Sequence, residues 1–298
     1  MRISTSLSHG IRMTGSPEKA AELMKRAGFD GIDLSMCEYQ TEPEKLLSPE
    51  WREHVLRHVR AARENGLAVA QCHLPYRGAH LPVPGDGTKE GFAAFMLPMY
   101  ERAIVMCGEA GCPVAVMHPY FRAGDPDDTL EGNLRILERL IPLAERNDVR
   151  IALENVYGET KTPGGERVLL DGGCSRPEGI LRVLNALDSD SVGACLDTGH
   201  ANIFRVDIAG AARAWGKKLI ALHINGNAGK DEHVIPYSMS GWCEEMDFHA
   251  LSRALGETGY TGYYNLELNS GSLPASCAGP YYAYAAAVAR ALADETEN

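Results

Sequence analysis

A chain of 298 residues is long enough to bury a substantial core, either as one large domain or as two of ordinary size. Hydrophobic residues make up 45% and charged residues 23% of it, the balance of an ordinary globular protein, and no apolar run approaches the length of a membrane span. The formal net charge of -11 disfavours nucleic acid and anionic membranes as partners. The first residues, MRISTSLSHG, lack the features of a signal peptide, so we expect a cytoplasmic protein.

Short β-rich runs recur along the chain, and amphipathic helical stretches such as PEKAAELMKRAGF, PEWREHVLRHVRAARENG and LEGNLRILERLIPLAERN separate them. Eight such units predict an α/β protein with a closed (β/α)8 TIM barrel, a single domain over residues 1–298. A doubly wound sheet is the alternative, but its usual Gly-rich first turn is missing from SLSHGIRMTGS. The strands are predicted at 2–8, 31–36, 68–76, 114–120, 150–156, 192–198, 221–227 and 263–269.

Three long irregular segments, 76–89, 157–173 and 226–246, each follow a predicted strand. In a barrel they lie at the carboxyl ends of the strands, where the binding loops of this fold are found. Aromatic residues in or near them could stack on the apolar face of a bound small molecule or simply pack the loops, and basic residues there could reach a phosphate or carboxylate group. The aromatic residues are Tyr76, Tyr120, Tyr157, Tyr237 and Trp242, and the basic ones are Lys161, Arg167 and Lys230.

Carboxylates and imidazoles collect at the predicted strand ends. Clustered groups of this kind need a shared cation to relieve their repulsion and desolvation. Oxygen and nitrogen donors without a thiolate suit Mn²⁺, Mg²⁺, Co²⁺ or Zn²⁺, so the sequence predicts a divalent metal site. The nine donors are His73 in QCHLPY, His118 in VMHPY, Glu154 in IALENVYG, Asp197 and His200 in LDTGH, His223 in ALHINGN, Asp231 and His233 in KDEH, and Glu267 in NLELN.

The motifs CHLPY, MHPY, ALEN, LDTGH, LHINGN, DEH and NLELN resemble those of the xylose isomerase-like barrel superfamily, and the resemblance runs through nearly the whole chain. That superfamily contains sugar isomerases and epimerases, inosose-processing enzymes and the endonuclease IV group. Resemblance to the epimerases implies one divalent metal ion and no nucleotide cofactor. It implies a small ketose or polyol-derived substrate, with or without a phosphate group. The implied metal ligands are Glu154, Asp197, His223 and Glu267.

In that branch the two glutamates also move the proton. Glu154 and Glu267 would remove and return a carbon-bound proton through a metal-bound enediolate, on opposite faces of the sugar. His200 would bind a substrate hydroxyl or orient a ligand. The resemblance therefore implies a carbohydrate isomerase or epimerase.

The nuclease branch leaves a second interpretation open. Its members use the same four positions together with five more donors to hold three zinc ions, and all nine have counterparts here. This would make the protein a multi-zinc hydrolase, such as an endonuclease IV-like phosphodiesterase, or a related dehydratase or lyase. The loops GDGTKE, GETKTPGGER and NGNAGKDEH carry mixed charge without a basic run, which disfavours DNA. A barrel that keeps its metal without catalysis is a third interpretation. The five further donors are His73, His118, His200, Asp231 and His233.

Several remaining residues carry weaker expectations. His9 and Asp33 end the first two strands, where a structural hydrogen-bonding role is favoured over metal ligation. His54, His58 and His249 lie on helical patterns and are expected to be solvated. The last helix, in YYAYAAAVARALADE, has a tyrosine edge compatible with a contact in a homo-oligomer.

Overall fold

The computed structural model describes residues 1–36, 49–76, 88–238 and 246–297. Within them, eight parallel strands form a barrel with helices on its outside, which confirms the predicted TIM barrel. Each of the eight predicted runs contains a strand, although the strands end earlier and the seventh begins earlier than predicted. The barrel strands are β1 (Ile3–Ser6), β2 (Gly31–Asp33), β3 (Ala68–His73), β4 (Val114–Met117), β5 (Arg150–Glu154), β8 (Val192–Asp197), β9 (Leu219–His223) and β10 (Tyr264–Leu266).

Neighbouring strands pair in the order β10-β1-β2-β3-β4-β5-β8-β9. The residue after β9 closes the circle, because Ile224 N–H donates to the Asn265 carbonyl (2.8 Å) and the Ile224 carbonyl accepts from Glu267 N–H (3.1 Å). This closure brings the carboxyl ends of β9 and β10 side by side. It therefore places His223 next to Glu267.

The helices pack around the barrel and carry their expected end signals. Ser16 begins the second helix by accepting a hydrogen bond from Lys19 N–H (3.2 Å), and Gly28, at φ 103°, ends it in the left-handed conformation that glycine tolerates. The helices are α1 (Leu7–Thr14), α2 (Pro17–Ala27), α3 (Trp51–Glu64), α4 (Lys89–Glu109), α5 (Pro126–Arg146), α6 (Pro177–Leu187), α7 (Thr198–Ile203), α8 (Ile208–Trp215), α9 (Phe248–Thr258) and α10 (Ala278–Asp294).

The core has two parts. Most buried apolar side chains lie in one large cluster that includes the inner faces of the helices, and a smaller cluster contains Val116, Ala152, Cys195, Ile220 and Ala221 from four neighbouring strands. Strands covered on both faces explain why the runs read as continuously apolar rather than alternating. Polar side chains consequently collect where the strands end.

Residues 157–173 correct one prediction. The sequence predicts an irregular loop there, but β6 (Gly158–Lys161) and β7 (Arg167–Leu170) form an antiparallel hairpin. Its base packs on Phe121, since a Cβ atom at Gly158 or Gly172 would lie 2.6 or 2.2 Å from that ring. Two four-residue strands are too short to show a clear alternation of apolar and polar residues, so they could not be predicted from the sequence.

His58 corrects a second prediction. It was expected to be solvated, yet it lies buried on α3 beside Val55, Val59 and Ala62, at the spacing of one helical face. Burial lowers the pKa of His58 to about 4, and the nearby His54 ring, 5.0 Å away between centroids, acts in the same direction. His54 and His249 are exposed, as expected.

Among the described residues, no helix combines the length and the apolar character needed to cross a bilayer. The thiols described in the structure are free. Five of them, including Cys72 and Cys195 in strands, are buried, and Cys277 is partly buried.

Candidate metal centre

The central group consists of Glu154, Asp197, His223 and Glu267, one residue from each of four strand ends. Glu154, Asp197 and His223 are the last residues of β5, β8 and β9, and Glu267 directly follows β10. One potential ligand atom of each lies within 4.8 Å of the others. The fold thus assembles these four side chains at one point, as the sequence predicts.

The donors of the central group face one another without satisfying each other. His223 Nδ1 lies 3.3 Å from Glu154 Oε1 and 3.4 Å from Glu267 Oε2. Within the described part of the chain, both Glu154 oxygens, both His223 nitrogens and Glu267 Oε2 are buried without a hydrogen-bond partner. Buried polar atoms without partners are costly, and carboxylate and imidazole donors are ligands of divalent cations. The central group therefore fits a divalent metal ion.

A second group shares Glu154 with the central group. Glu154 Oε2 is 3.5 Å from His73 Nε2 and 3.3 Å from His118 Nε2, and these two nitrogens lie 3.2 Å apart. The Tyr76 ring stacks on His118 with centroids 4.2 Å apart. We call His73, His118 and Glu154 the first flanking group.

A third group shares Asp197 with the central group. His233 Nε2 is 2.7 Å from Asp231 Oδ1, and His200 Nε2 is 3.5 Å from the same oxygen. His200 Nδ1 approaches Asp197 Oδ1 at 3.7 Å. We call Asp197, His200 and His233, with the adjoining Asp231, the second flanking group. All nine donors named from the sequence thus meet at the barrel mouth, while their roles as ligands or catalysts stay predictions.

Burial and charge act in opposite directions on these groups. Burial raises the pKa of Asp197 to about 6. Burial would also raise the pKa of Glu154, but the imidazoles of His223 and His118 lower it well below its usual range. In the same way, burial disfavours the charged form of His200, whereas Asp197 and Asp231 raise its pKa well above 6.5. The charges are mutually dependent, as expected where several acids and bases are buried together.

Asp33, the last residue of β2, lies next to residues of this centre. Its Oδ1 accepts from His73 N–H (3.1 Å), and its Oδ2 accepts from the Gln71 side chain (3.0 Å). The same Oδ2 lies 3.5 Å from His223 Nε2, on the opposite side of the ring from the nitrogen that faces the glutamates. The favoured structural role of Asp33 is confirmed by its hydrogen bonds to the Gln71 side chain and to the His73 backbone.

His9 does not show the hydrogen bonding that was favoured for it. Its Nδ1 is buried and has no hydrogen-bond partner among the residues that the structure describes. Burial and the nearby Arg12 lower the pKa of His9 to about 4, while the Glu267 carboxylate opposes them. The ring is therefore neutral near pH 7.

The residues around the mouth divide into those that contact the centre and those that pack elsewhere. Tyr157 packs edge-on against His200, with centroids 5.4 Å apart, and Arg167 lies over Tyr157 while donating to Glu159 and to the Gly229 carbonyl (2.7 Å each). Lys161 and Lys230 are exposed. The remaining aromatic residues are Tyr120, which packs against Phe92, Tyr237, which packs against Phe248, and Trp242, which lies outside the described residues.

Two asparagines that sequence reasoning missed hold Asp197. Asn155 donates to the Asp197 carbonyl (2.9 Å) and accepts from its N–H (2.8 Å). Asn225 donates to Asp197 Oδ2 (2.9 Å). Asn155 directly follows the donor Glu154 in ALEN, and Asn225 stands two residues after the donor His223 in LHINGN. Their position in those motifs was the available signal.

Comparison with known proteins places the chain among TIM barrels. The model of the xylose isomerase-like TIM barrel family matches residues 21–292. The protein MJ1311 of Methanocaldococcus jannaschii is 26% identical over 261 residues, covering 86% of this chain and 78% of its own length. The protein y4fM of Sinorhizobium fredii is 32% identical over 87 residues, which span 29% of this chain but only 26% of that relative.

Solved structures show the same fold at low identity. An L-ribulose 3-epimerase superposes with a TM-score of 0.73 at 17% identity, covering 99% of this chain and 95% of its own. A D-tagatose 3-epimerase-like protein gives 0.68 at 19%, covering 100% and 97%. The 3-keto-D-glucoside 4-epimerase YcjR of E. coli gives 0.67 at 21%, covering 92% and 94%. At these identities the likeness establishes the fold.

Proposed function

The chain belongs to the xylose isomerase-like TIM barrel family, and on that basis we propose that it is a divalent-metal-dependent isomerase or epimerase of a small carbohydrate. The observation that carries the proposal is the central group, which contains two glutamates on different strands within reach of one cation. The names of the neighbouring structures support it, since they include an L-ribulose 3-epimerase and a 3-keto-D-glucoside 4-epimerase.

We assign the ligand role to Glu154, Asp197, His223 and Glu267. A divalent cation held there would supply Lewis acidity, which makes a carbon-bound proton next to a carbonyl group more acidic. The choice among Mn²⁺, Mg²⁺, Co²⁺ and Zn²⁺ stays open, because oxygen and imidazole donors suit all four.

The proton transfer falls to the two glutamates. Glu154 Oε1 and Glu267 Oε2 approach the same nitrogen, His223 Nδ1, at 3.3 and 3.4 Å. One carboxylate takes the proton from the carbon beside the carbonyl group, and the other returns a proton to the opposite face. Return to the other face inverts the stereocentre, and the starting configuration of the sugar decides which glutamate acts first.

Other residues at the mouth would bind and orient the sugar. His200 lies beside both Glu154 (3.2 Å) and Asp197, so its imidazole is placed to bind a hydroxyl group next to the reacting carbon. The rings of Tyr76 and Tyr157, which cover His118 and His200, would exclude water from the sugar's apolar face.

The test is epimer formation from a panel of ketoses by the metal-loaded protein, with Glu154→Gln and Glu267→Gln as variants. Loss of an acid or base group lowers turnover by about 10²- to 10⁴-fold. Glu166→Gln, an exposed acid in the hairpin turn, is the matched control and should keep the native rate. Native turnover by either active-site variant would overturn the assignment.

A second candidate, a multi-zinc hydrolase, is favoured by one specific observation. The first flanking group shares Glu154 and the second shares Asp197 with the central group, so these residues would contribute to holding more than one cation. Elemental analysis of protein purified without chelators separates the candidates. About one metal ion per chain supports the epimerase, whereas two or three zinc ions favour hydrolysis, to be tested first on phosphodiesters.

A further inference from the structure

The Asp197 carboxylate is fully buried, and the protein itself engages both of its oxygens. Oδ1 accepts from His200 N–H at 2.6 Å, and Oδ2 accepts from the Asn225 side-chain amide at 2.9 Å. The Asn155 side chain bonds the N–H and the carbonyl of the same residue at 2.8 and 2.9 Å. Asn155 thereby fixes the backbone of Asp197, while Asn225 is the side chain that restrains its carboxylate plane.

The Asn225 amide is itself held in place from two directions. Thr198 Oγ1 accepts from the Asn225 N–H (2.9 Å) and donates to the Asn225 carbonyl (2.7 Å), which fixes the backbone. On the other side, a Cβ atom at Gly199 would lie 2.0 Å from Asn225 Oδ1. The amide therefore packs directly against the Gly199 backbone. The glycine in LDTGH is explained by this contact, because any larger residue would displace the amide.

The direction of the bond to Asp197 follows from chemistry. An ionised carboxylate can only accept, so the amide must present Nδ2 to it. The remaining amide oxygen, Asn225 Oδ1, is buried without a hydrogen-bond partner in the described part of the chain. The side chain thus leaves one of its own groups unsatisfied while it donates to a candidate metal ligand, which a role in loop packing alone does not require.

We propose that Asn225 is a positioning residue that presets the Asp197 carboxylate for a divalent cation and so determines the metal affinity of the centre. The inference rests on the proposed metal site but not on the sugar reaction. Partners that orient metal ligands through hydrogen bonds change affinity by about 10- to 100-fold when they are removed. Without the Asn225 donor, Asp197 gains rotational freedom that the cation must restrict on binding.

The experiment measures Co²⁺ binding to the full chain after chelator treatment, by competition with a chromophoric chelator and by the visible absorption spectrum of the bound ion. Asn225→Leu keeps the branched side-chain skeleton with somewhat greater volume and removes the donor, and Asn225→Ala is the second variant should the first fold poorly. We expect dissociation constants about 10- to 100-fold higher and an altered spectrum. The melting temperature of the metal-free protein separates this effect from unfolding.

Asn202→Ala is the matched control. Asn202 donates to Asn227 Oδ1 (2.9 Å), and among the described residues its side-chain hydrogen bonds go to Asn227 rather than to a carboxylate of the centre. It should lower stability while leaving affinity and spectrum unchanged. An equal loss of affinity in the Asn202 and Asn225 variants would reduce the role of Asn225 to packing and overturn the inference.

Gly199→Ala supplies an independent route to the same contact. In the wild-type background the added methyl group should displace the Asn225 amide and weaken Co²⁺ binding, whereas in Asn225→Ala it should cost clearly less. Additive losses would contradict the inference. If the wild-type protein binds no Co²⁺, the proposed metal site is refuted together with this inference. If Co²⁺ binding depends on Asn225 but the protein turns over no sugar, only the proposed sugar reaction is refuted.

Discussion

Replacement of Glu154 by glutamine should remove most of the stability that a divalent cation gives to the folded protein. Glu154 is fully buried, and its oxygens lie 3.2 to 3.5 Å from imidazole nitrogens of His73, His118, His200 and His223. Glutamine keeps the shape of the side chain but loses the charge and one of the two acceptor oxygens. Both the central group and the first flanking group lose their shared carboxylate.

The size of the effect follows from linkage. A cation at 100 times its dissociation constant stabilises the fold by about 2.7 kcal/mol. An unfolding entropy of about 2.1 cal/mol/K per residue gives about 0.6 kcal/mol/K for 298 residues, so the melting temperature should rise by about 4 °C. Removing a residue that orients a metal ligand weakens metal binding by up to about 100-fold, and we assume the same factor for the loss of a direct ligand. At the same cation concentration, the melting temperature of the variant should then rise by less than about 1 °C.

The assay is a thermal melt of the metal-free protein with and without Mn²⁺ or Co²⁺. Glu101→Gln is the control, since Glu101 pairs with Arg139 on the outside of the barrel, and it should keep the full shift. Equal shifts for wild type and Glu154→Gln would refute the placement of the cation beside this carboxylate.

Three further predictions concern residues around the centre and in the fold. Asp33→Asn should weaken Co²⁺ binding by about 10- to 100-fold in a chelator titration, because the carboxylate that faces His223 Nε2 at 3.5 Å loses its charge; unchanged affinity would contradict this. The pKa of His58 is about 4 in the folded protein against 6.5 for a free histidine, so the folded state loses stability as the pH falls from 6.5 toward 4. Between pH 8 and pH 5 the melting temperature of His58→Leu should therefore fall by about 3 °C less than that of the wild type. An equal fall of the two melting temperatures would contradict this prediction. Gly132→Ala should destabilise the fold by about 1 to 3 kcal/mol in urea unfolding, because its Cβ would lie 2.2 Å from the Tyr120 ring; unaltered stability would show that the ring can move.

The barrel and the nine donors could be predicted from the sequence because each depends on a local pattern. Strands buried on both faces leave apolar runs, and a barrel brings together the residues at the ends of those runs, such as Asp197 at the end of β8 and Glu267 directly after β10. The pairing of Ile224 with Asn265, which closes the barrel, follows from the eight-strand count and needs no separate sequence pattern.

The missed features depend on contacts between distant segments. The hairpin at 158–170 is stabilised by packing on Phe121, which its own short strands do not reveal. His58 looks like a polar residue on a charged helix until the packing of that face is known. The bond between Asn225 and Asp197 joins two strand ends, and nothing in either segment alone predicts it.

The most direct measurement is deuterium incorporation into a ketose that turns over, incubated in D₂O with the metal-loaded protein and followed by NMR. Removal of a proton by one glutamate and return of a proton by the other predict solvent deuterium at the carbon that receives the returned proton, and loss of that signal in Glu154→Gln and Glu267→Gln. Turnover that leaves no solvent deuterium at that carbon, or native exchange in both variants, would contradict the proposed reaction.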